Sequence, residues 1–286
     1  MDYSFTRYLA AKRSVDDRSL NHDVWQTLLS ELAAGPLDIL EVGAGTGTMV
    51  DRLGERGLLD RGGHYTAIDA DPANTEEARQ RLAKADLPVD LEIETADIYA
   101  FARRERNKRM WSLLIAHAFL DLMDVPRLLP DLLALLRPGG LFYFTINFDG
   151  LTALEPVVDV TFDSLIVDLY HQTMDERLYD GRPTGGSRAG RALMTQIPAA
   201  GGDILAAGAS DWIVWPHSGR YPADEAYFLH HILHFFENSL AGRPELDPRR
   251  FAAWLARRRA QIDAGELVFI AHQIDVLGRV TRAAGH

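Results

Sequence analysis

The sequence predicts an α/β protein built on a doubly wound, mainly parallel sheet. Apolar runs typical of strands alternate with helical patterns through residues 37–146, and parallel sheets with helices on both faces show such alternation. The apolar run Trp111–Ala116 is typical of a strand buried on both faces. Three glycines, Gly43, Gly45 and Gly47, separate the first strand from a helical pattern. Such a turn lets a nucleotide-like ligand approach bare backbone at the carboxyl ends of the strands.

The elements of the first half follow from periodicity and from turn residues. Apolar residues recur at helical spacing from Phe5 to Leu32, and Gly35-Pro36 ends this segment. Gly57 is a C-terminal stop for the first core helix, and Asp71-Pro72 is typical of a helix cap followed by the first helical position. The predicted elements are helical segments at 5–32, 48–56 and 73–85 and strands at 39–42, 64–69 and 89–94.

The second half continues this pattern and then departs from it. The predicted elements are strands at 111–116, 141–146, 204–215 and 266–280 and helices at 128–136, 157–174, 188–197, 225–240 and 248–264. They divide the chain into an N-terminal helical cap (1–34), a core (35–149) and a region at 150–286. This last region combines the final two strands with two insertions, at about 150–202 and 217–265, which we expect to form a lid over a substrate.

Composition narrows the class of partner. The chain has 286 residues, a formal net charge of -11 and no cysteine. We therefore expect a cytoplasmic protein without disulfides or thiolate metal sites, and no long apolar run predicts a membrane segment. An acidic chain repels phosphate backbones. The basic runs at 103–109 and 257–259 lack interleaved aromatic residues, so we expect solvated surfaces there and no nucleic-acid partner.

The glycine spacing distinguishes two classes of cofactor. A dinucleotide fingerprint reads G-x-G-x-x-G, but Thr48 stands where its third glycine would fall. Asp69 lies where an acid can accept both ribose hydroxyls, a feature that both cofactor classes share. The spacing therefore argues against a nicotinamide dinucleotide.

Four segments carry a resemblance to a known family. Glu41–Gly47 resembles the first motif of class I S-adenosylmethionine-dependent methyltransferases, and Ala67–Pro72 resembles their second motif. Ala96–Ile98 resembles the acidic site for the adenine amine, and Leu135–Phe142 resembles the turn into the fifth strand. The resemblance implies a seven-stranded, mostly parallel sheet with an antiparallel last strand.

The resemblance also implies roles at the methionine portion of the cofactor. The backbone at Gly43, Ala44 and Gly45 would approach this portion, Gly47 is a further cofactor-binding residue of the same motif, and Glu41 would order the loop. The alternative is that the glycines serve only strand–helix packing.

At the nucleoside portion, the resemblance implies that Asp69 holds the ribose and that Ala70 lies beside the adenine. Asp97 would bind the adenine amine, and Ile98 would cover the ring. A plain helix cap at Asp69 and a solvated loop acid at Asp97 are the alternatives.

His117, at the end of the fourth strand, is the predicted catalytic base and, by resemblance, a contact of the methionine portion. The alternative is a histidine that is hydrogen bonded by the protein or that binds only the cofactor. Asp121 follows one helical turn later, and we predict that it binds substrate or orients His117, although such an acid also caps helices or faces water.

Two residues of the N-terminal helical segment are further cofactor candidates. A helix that precedes the first strand can fold over the cofactor, so Tyr8 or Arg13 would reach the methionine carboxylate. The alternative is an ordinary surface helix with an Arg13–Asp17 ion pair.

Substrate contacts are predicted in the insertions. Arg188 opens a helix after a long loop and would suit an anionic group, unless it is solvated. His230 and His231 are candidates for the polar wall of an aromatic pocket, although a half-buried packing helix fits this segment best. His230, His234 and Glu237 share one helix face but lack a second ligand cluster, so we predict no metal.

The predicted activity is methyl transfer from S-adenosylmethionine to a small molecule, which leaves S-adenosylhomocysteine. A nicotinamide-dependent oxidoreductase, a non-catalytic partner subunit, and another reaction of the same cofactor are the alternatives. A homodimer is compatible with the sequence.

Overall fold

The computed structural model describes residues 3–280. The helices in this range are α1 (Phe5–Ser19), α2 (His22–Glu31), α3 (Thr48–Glu55), α4 (Pro72–Leu82), α5 (Ile98–Glu105), α6 (Val125–Leu133), α7 (Val160–Asp175), α8 (Ala189–Ala199), α9 (Glu225–Leu240) and α10 (Pro248–Asp263). The strands are β1 (Leu37–Val42), β2 (Gly63–Asp69), β3 (Asp90–Thr95), β4 (Trp111–His117), β5 (Leu136–Glu155), β6 (Leu178–Tyr179), β7 (Arg182–Pro183), β8 (Gly202–Ala209), β9 (Trp212–Val214) and β10 (Val268–Val280). The outermost residues of the predicted cap and of the 150–286 region, 1–2 and 281–286, lie outside this range.

The main sheet has the order β3-β2-β1-β4-β5-β10-β8. β1 to β5 pair in parallel, and β10 is antiparallel to both β5 and β8. The prediction of a seven-stranded sheet with an antiparallel last strand is confirmed. The predicted strand at 204–215 is interrupted at Ser210-Asp211, so β9 pairs separately with β10 as an eighth strand. The strand order reverses between β1 and β4, where sheets of this type bind their ligands.

Helices cover both faces of the sheet. On one face, α5, α6 and α8 pack in a cluster around the fully buried Trp111. On the other face, α2 and α3 pack through residues such as Leu28 and Leu53. Leu193 and Ile197 of α8 belong to the first cluster, although we predicted this helix within the first lid insertion. Its apolar face packs on the sheet, so the insertion ends before α8.

A third cluster lies beyond the carboxyl ends of the parallel strands. It joins α1, α7, α9 and α10 to the extension of β5 and β10. The two strands continue past the main sheet as an antiparallel pair as far as the Val268–Glu155 pairing. The predicted strand at 141–146 is therefore longer than expected, and α7 begins at Val160. The helices α1, α7, α9 and α10 pack against this antiparallel pair. None of the helices within residues 3–280 has both the length and the apolar character needed to cross a membrane.

Near its carboxyl end, β10 has no room for a side chain at Gly278. A Cβ atom there would lie 2.1 Å from Phe142 Cζ and 2.4 Å from the Asp203 carbonyl oxygen. Gly278→Ala should therefore lower the free energy of unfolding by about 2 kcal/mol or more, because a rigid ring and backbone must move.

Gly54→Ala in α3 is the matched control. Its Cβ would meet nothing closer than Leu59 Cδ1 at 3.8 Å, and alanine favours the helix by up to about 1 kcal/mol. Urea unfolding of both variants checks the pair. A Gly278→Ala protein as stable as the Gly54→Ala protein would contradict the close packing of β10 on Phe142.

Candidate active site

A cavity of about 430 Å³ lies at the carboxyl ends of β1, β2 and β4. The lining combines the glycine turn, acids at the ends of strands, and apolar side chains. Of the cofactor residues predicted from sequence, it includes Glu41, Gly43, Ala44, Gly45, Asp69, Ala70, Asp97, Ile98 and His117. These residues lie far apart in the chain, and the sheet topology brings them together at one edge of the sheet.

The glycine turn borders the cavity and leaves little space for side chains at its glycine positions. Gly43 and Gly45 have φ angles of 66° and 56°, which other residues rarely adopt. A Cβ on Gly43 would lie 2.3 Å from Phe119 Cδ2. Gly47 differs, because it caps α3 and a Cβ there would meet Leu82 instead. Gly47 therefore serves the packing of α3 on α4, as in the alternative that we considered for the glycines, and does not line the cavity.

Asp69 ties the ends of β1 and β2 together. Its Oδ2 accepts from the Gly45 backbone N–H at 2.8 Å, and its Oδ1 accepts from the Asp71 N–H at 2.9 Å and from Asn74 at 3.2 Å. The cap of α4 is Asp71, whose side chain accepts from the Ala73 N–H. Asp69 is therefore not the helix cap of the alternative interpretation, and its carboxylate borders the cavity.

Asp97 has two local partners. It caps α5 by accepting from the Ala100 N–H at 2.9 Å, and it also accepts a hydrogen bond from the Tyr179 hydroxyl. This bond helps raise the pKa of Tyr179 to about 12. Tyr179 belongs to the β6–β7 hairpin, and sequence patterns gave no signal that it would reach the third strand end.

Glu41 is buried beneath the glycine turn. Its Oε2 accepts from the Tyr65 hydroxyl at 2.7 Å. Burial raises the pKa of Glu41 to about 8, and the negative charge of Asp69 acts in the same direction. The raised pKa favours the protonated carboxyl at neutral pH, and the side chain joins β1 to β2 through its hydrogen bond with Tyr65.

Asp16 of α1 receives hydrogen bonds from three parts of the fold. Its Oδ2 lies 2.8 Å from Lys12 Nζ and 2.9 Å from His117 Nε2, and its Oδ1 accepts from Trp212 Nε1 at 2.9 Å. Burial by itself would raise the pKa of Asp16, but Lys12 and His117 outweigh burial and hold this pKa well below its ordinary value. Asp16 is therefore a buried carboxylate with its charge compensated.

His117 has no nitrogen free for a substrate. Its Nε2 faces Asp16, and its Nδ1 lies 2.8 Å from the hydroxyl of Thr145, its neighbour across β4 and β5. Burial lowers the pKa of His117 to about 4, so the ring is neutral, donates from Nε2 and accepts from the Thr145 hydroxyl. The geometry does not fit the predicted role of catalytic base. It fits the alternative, a histidine hydrogen bonded by the protein.

The N-terminal helix presents Lys12, and not Arg13, to the cavity. Lys12 lines the cavity, whereas Arg13 points away and contacts Asp51 at 3.2 Å and Glu55 at 2.5 Å. The predicted pair of Arg13 with Asp17 is present at 3.5 Å. Tyr8, Lys12 and Asp16 share a helix face at spacings of four residues, a signal that could have identified Lys12.

A second cavity of about 370 Å³ adjoins the first. The two share a wall formed by Phe5, Leu9, Lys12, Ala118, Leu122 and Arg177. Most of the second lining is aromatic or aliphatic, and its aromatic members are Phe5, Tyr8, Phe148, Tyr170, Trp212, Phe235, Phe236 and Phe269. Tyr8, which we predicted at the cofactor, and Asp121 line this second cavity and not the first.

The other predicted substrate residues line neither cavity. Arg188 is exposed. His230 is bonded to Asp263 at 3.0 Å, and His231 stacks on Tyr8 with ring centroids 4.6 Å apart. Both histidines pack behind the cavity wall because α9 is buried over most of its circumference. In the part of the chain that the structure describes, no three His, Asp or Glu side chains are placed to hold a metal ion.

Glu41→Gln should change how stability depends on pH. The raised pKa means that the native protein binds the Glu41 proton more tightly than the unfolded chain does. The wild type therefore loses this contribution as pH rises from about 4.5 to about 8. Glutamine does not titrate, so the ligand-free variant should gain on the order of 3 kcal/mol relative to wild type across this window. Urea unfolding at pH 5 and pH 8 measures the difference, and a pH-independent difference would contradict a protonated Glu41.

One family model and two solved structures show which known proteins the chain is similar to. Residues 39–140 match a family model described as a methyltransferase domain. No curated protein matches the chain in sequence. A solved structure from Bacillus halodurans C-125, provisionally named a methyltransferase (BH2331), has a TM-score of 0.55 at 10% identity, with 92% of this chain and 100% of that chain covered. The YcgJ protein from Bacillus subtilis has a TM-score of 0.51 at 10% identity, with 91% and 98% covered; at such identities the likeness concerns the fold.

The matched segment spans the glycine turn, Asp69, Asp97 and His117, the strand ends that border the first cavity. The cofactor prediction is thereby confirmed, and the nicotinamide-dependent alternative is set aside. Residues 39–140 form a methyltransferase domain whose cofactor is S-adenosylmethionine, and the protein is an S-adenosylmethionine-dependent methyltransferase.

Proposed function

We propose that this enzyme methylates a small, largely apolar molecule held in the second cavity. The observation that carries the proposal is the wall of six residues that the two cavities share. A volume of about 370 Å³ lies within the range of small-molecule sites, which is about 300–1,000 Å³. An acceptor in this space would lie against the methionine side of the cofactor cavity.

The residues of the first cavity fit the cofactor. The cradle at Gly43 has no space for a side chain, so backbone can approach the methionine portion closely. The Lys12 ammonium lies where it can meet a carboxylate, and Asp69 and Asp97 offer acceptors for ribose hydroxyls and the adenine amine. When bound, S-adenosylmethionine supplies a methyl group on a positively charged sulfur.

The chain's own contribution is to position the acceptor and to exclude water. Aromatic side chains from α1, α7, α9 and β10 surround the second cavity, and they remove water from the acceptor when it binds. Positioning of this kind supplies much of the acceleration in a displacement reaction. The lid, the small-molecule acceptor and the absence of a nucleic-acid partner belong to this proposal, and the homodimer stays a prediction.

Asp69→Ala should weaken S-adenosylmethionine binding about 100-fold, because hydrogen bonds to a carboxylate contribute about 1.5–3 kcal/mol each. The variant also loses the acceptor of the Gly45 N–H. Isothermal titration calorimetry measures the dissociation constant. Arg13→Ala is the control and should bind within about twofold of wild type, because Arg13 lies outside both cavities. Equal binding by Asp69→Ala and wild type would contradict the assignment.

Ser239→Trp should obstruct the second cavity. Ser239 is exposed and also lines this cavity, so a tryptophan can fill the entrance without disturbing the core. Naphthalene, detected by its fluorescence, should bind the variant at least about tenfold more weakly, while the dissociation constant of S-adenosylmethionine stays unchanged.

Asn238→Trp is the matched control, because Asn238 is exposed on the same helix but does not line the cavity. It should bind naphthalene as the wild type does. Unchanged naphthalene binding by Ser239→Trp would show that apolar molecules bind elsewhere.

A further inference from the structure

The second cavity is lined by one carboxylate, Asp121, whose only hydrogen bond among residues 3–280 comes from its own backbone N–H. Asp121 accepts no hydrogen bond from another residue among 3–280, and its nearest opposite charge is Arg177 Nη1, 4.0 Å from Oδ2. The Asp121 side chain is 22% exposed, so its oxygens can be reached from the cavity. A carboxylate in an aromatic cavity whose ion-pair partner is as far as 4.0 Å is costly to bury, and a bound ligand that donates a hydrogen bond would satisfy it.

Two tyrosines of the second cavity also have unused hydrogen-bonding capacity. Tyr8 and Tyr170 line the cavity, and their hydroxyls form no hydrogen bond with residues 3–280. Burial raises the pKa of Tyr170 to about 12, and it raises the pKa of Tyr8 strongly; the charge of Asp121 adds to both shifts. Both hydroxyls therefore keep their protons and can donate to a ligand oxygen.

Burial makes Asp121 more basic than an exposed carboxylate, and two nearby cations oppose this effect. Burial raises the pKa of Asp121, while Arg177 on α7 and Lys12 on α1 oppose the rise. The two tyrosines are neutral, and His117 is engaged by Asp16 and Thr145. Asp121 is thus the titratable group of the second cavity that can take a proton.

The pattern of donors and acceptors favours a hydroxyl over an amine. A hydroxyl donates one hydrogen bond and accepts up to two, so it can donate to the carboxylate and accept from one tyrosine hydroxyl while a lone pair stays free for the methyl carbon. A primary amine would leave a second N–H directed at apolar walls.

We propose that Asp121 is the catalytic base and that the acceptor is an apolar alcohol or phenol whose hydroxyl lies against it. This inference rests on the proposed function of the second cavity. The O–H bond of the acceptor breaks and its proton passes to the Asp121 carboxylate. The acceptor oxygen forms the new bond to the methyl carbon. The electron pair of the broken carbon–sulfur bond stays on sulfur, so the products are a methyl ether, neutral S-adenosylhomocysteine and protonated Asp121.

The test uses three probes and three variants of the 286-residue chain. Binding of naphthalene, 2-naphthol and 2-methoxynaphthalene is measured on protein saturated with S-adenosylhomocysteine. The methyl ether keeps the oxygen of 2-naphthol but lacks its proton. Wild type should bind 2-naphthol at least about tenfold more tightly than 2-methoxynaphthalene, and Asp121→Leu should abolish this preference.

Asp121→Asn separates hydrogen bonding from proton transfer. Its amide oxygen still accepts a hydrogen bond but does not take a proton at neutral pH. The variant should retain part of the preference for 2-naphthol. Formation of S-adenosylhomocysteine from S-adenosylmethionine and 2-naphthol should fall at least about 100-fold. Arg188→Ala, at an exposed position outside both cavities, should behave as wild type in both measurements.

The outcomes distinguish the two proposals. If all three probes bind wild type equally, or if 2-naphthol binds without being methylated, Asp121 is not the base although the cavity holds small molecules. Wild-type turnover by Asp121→Asn would overturn the inference in the same way. If none of the probes binds, the proposed function of the second cavity fails as well.

Discussion

The ionic cluster at Asp16 is the interaction on which the rest of the site depends. One carboxylate of α1 accepts from Lys12 of its own helix, from His117 at the end of β4, and from Trp212 of β9. It therefore joins the N-terminal helix, the parallel sheet and β9 in one place. A buried charge is tolerated only when it is paired and hydrogen bonded, so these elements must meet in this arrangement. Both cavities border the cluster.

The cluster also decides which residues remain available for chemistry. His117 occupies the position that a catalytic base would favour, at the carboxyl end of a central strand. Its two nitrogens are nevertheless committed to Asp16 and Thr145. A neutral histidine with both nitrogens bonded stabilises the junction of sheet and cap. Asp121, Tyr8 and Tyr170, whose side chains form no hydrogen bond with another residue among 3–280, line the adjoining aromatic cavity.

Local patterns allowed a large part of the core and of the cofactor site to be predicted. The alternation of strands and helices indicated the parallel sheet, and the positions of Gly43, Gly45 and Asp69 followed from a turn and a strand end. Such features depend on neighbours within a few residues, or on the rule that parallel strands end at one edge. Several residues that were predicted outside the core do not line the cavities. Arg13 and Arg188 lie outside both linings, and His231 packs behind Tyr8.

The sequence by itself determined the class of fold, the glycine cradle and the acids that border the cofactor cavity, because these are set by short-range spacing and backbone geometry. Tertiary structure decided that Lys12 faces the cavity in place of Arg13, that Tyr179 reaches Asp97, and that Asp121 lines the second cavity. Each of these outcomes depends on how α1 and the segments after β5 pack against the sheet. Packing between distant segments is decided by burial and charge pairing across the whole fold, and no local spacing records it.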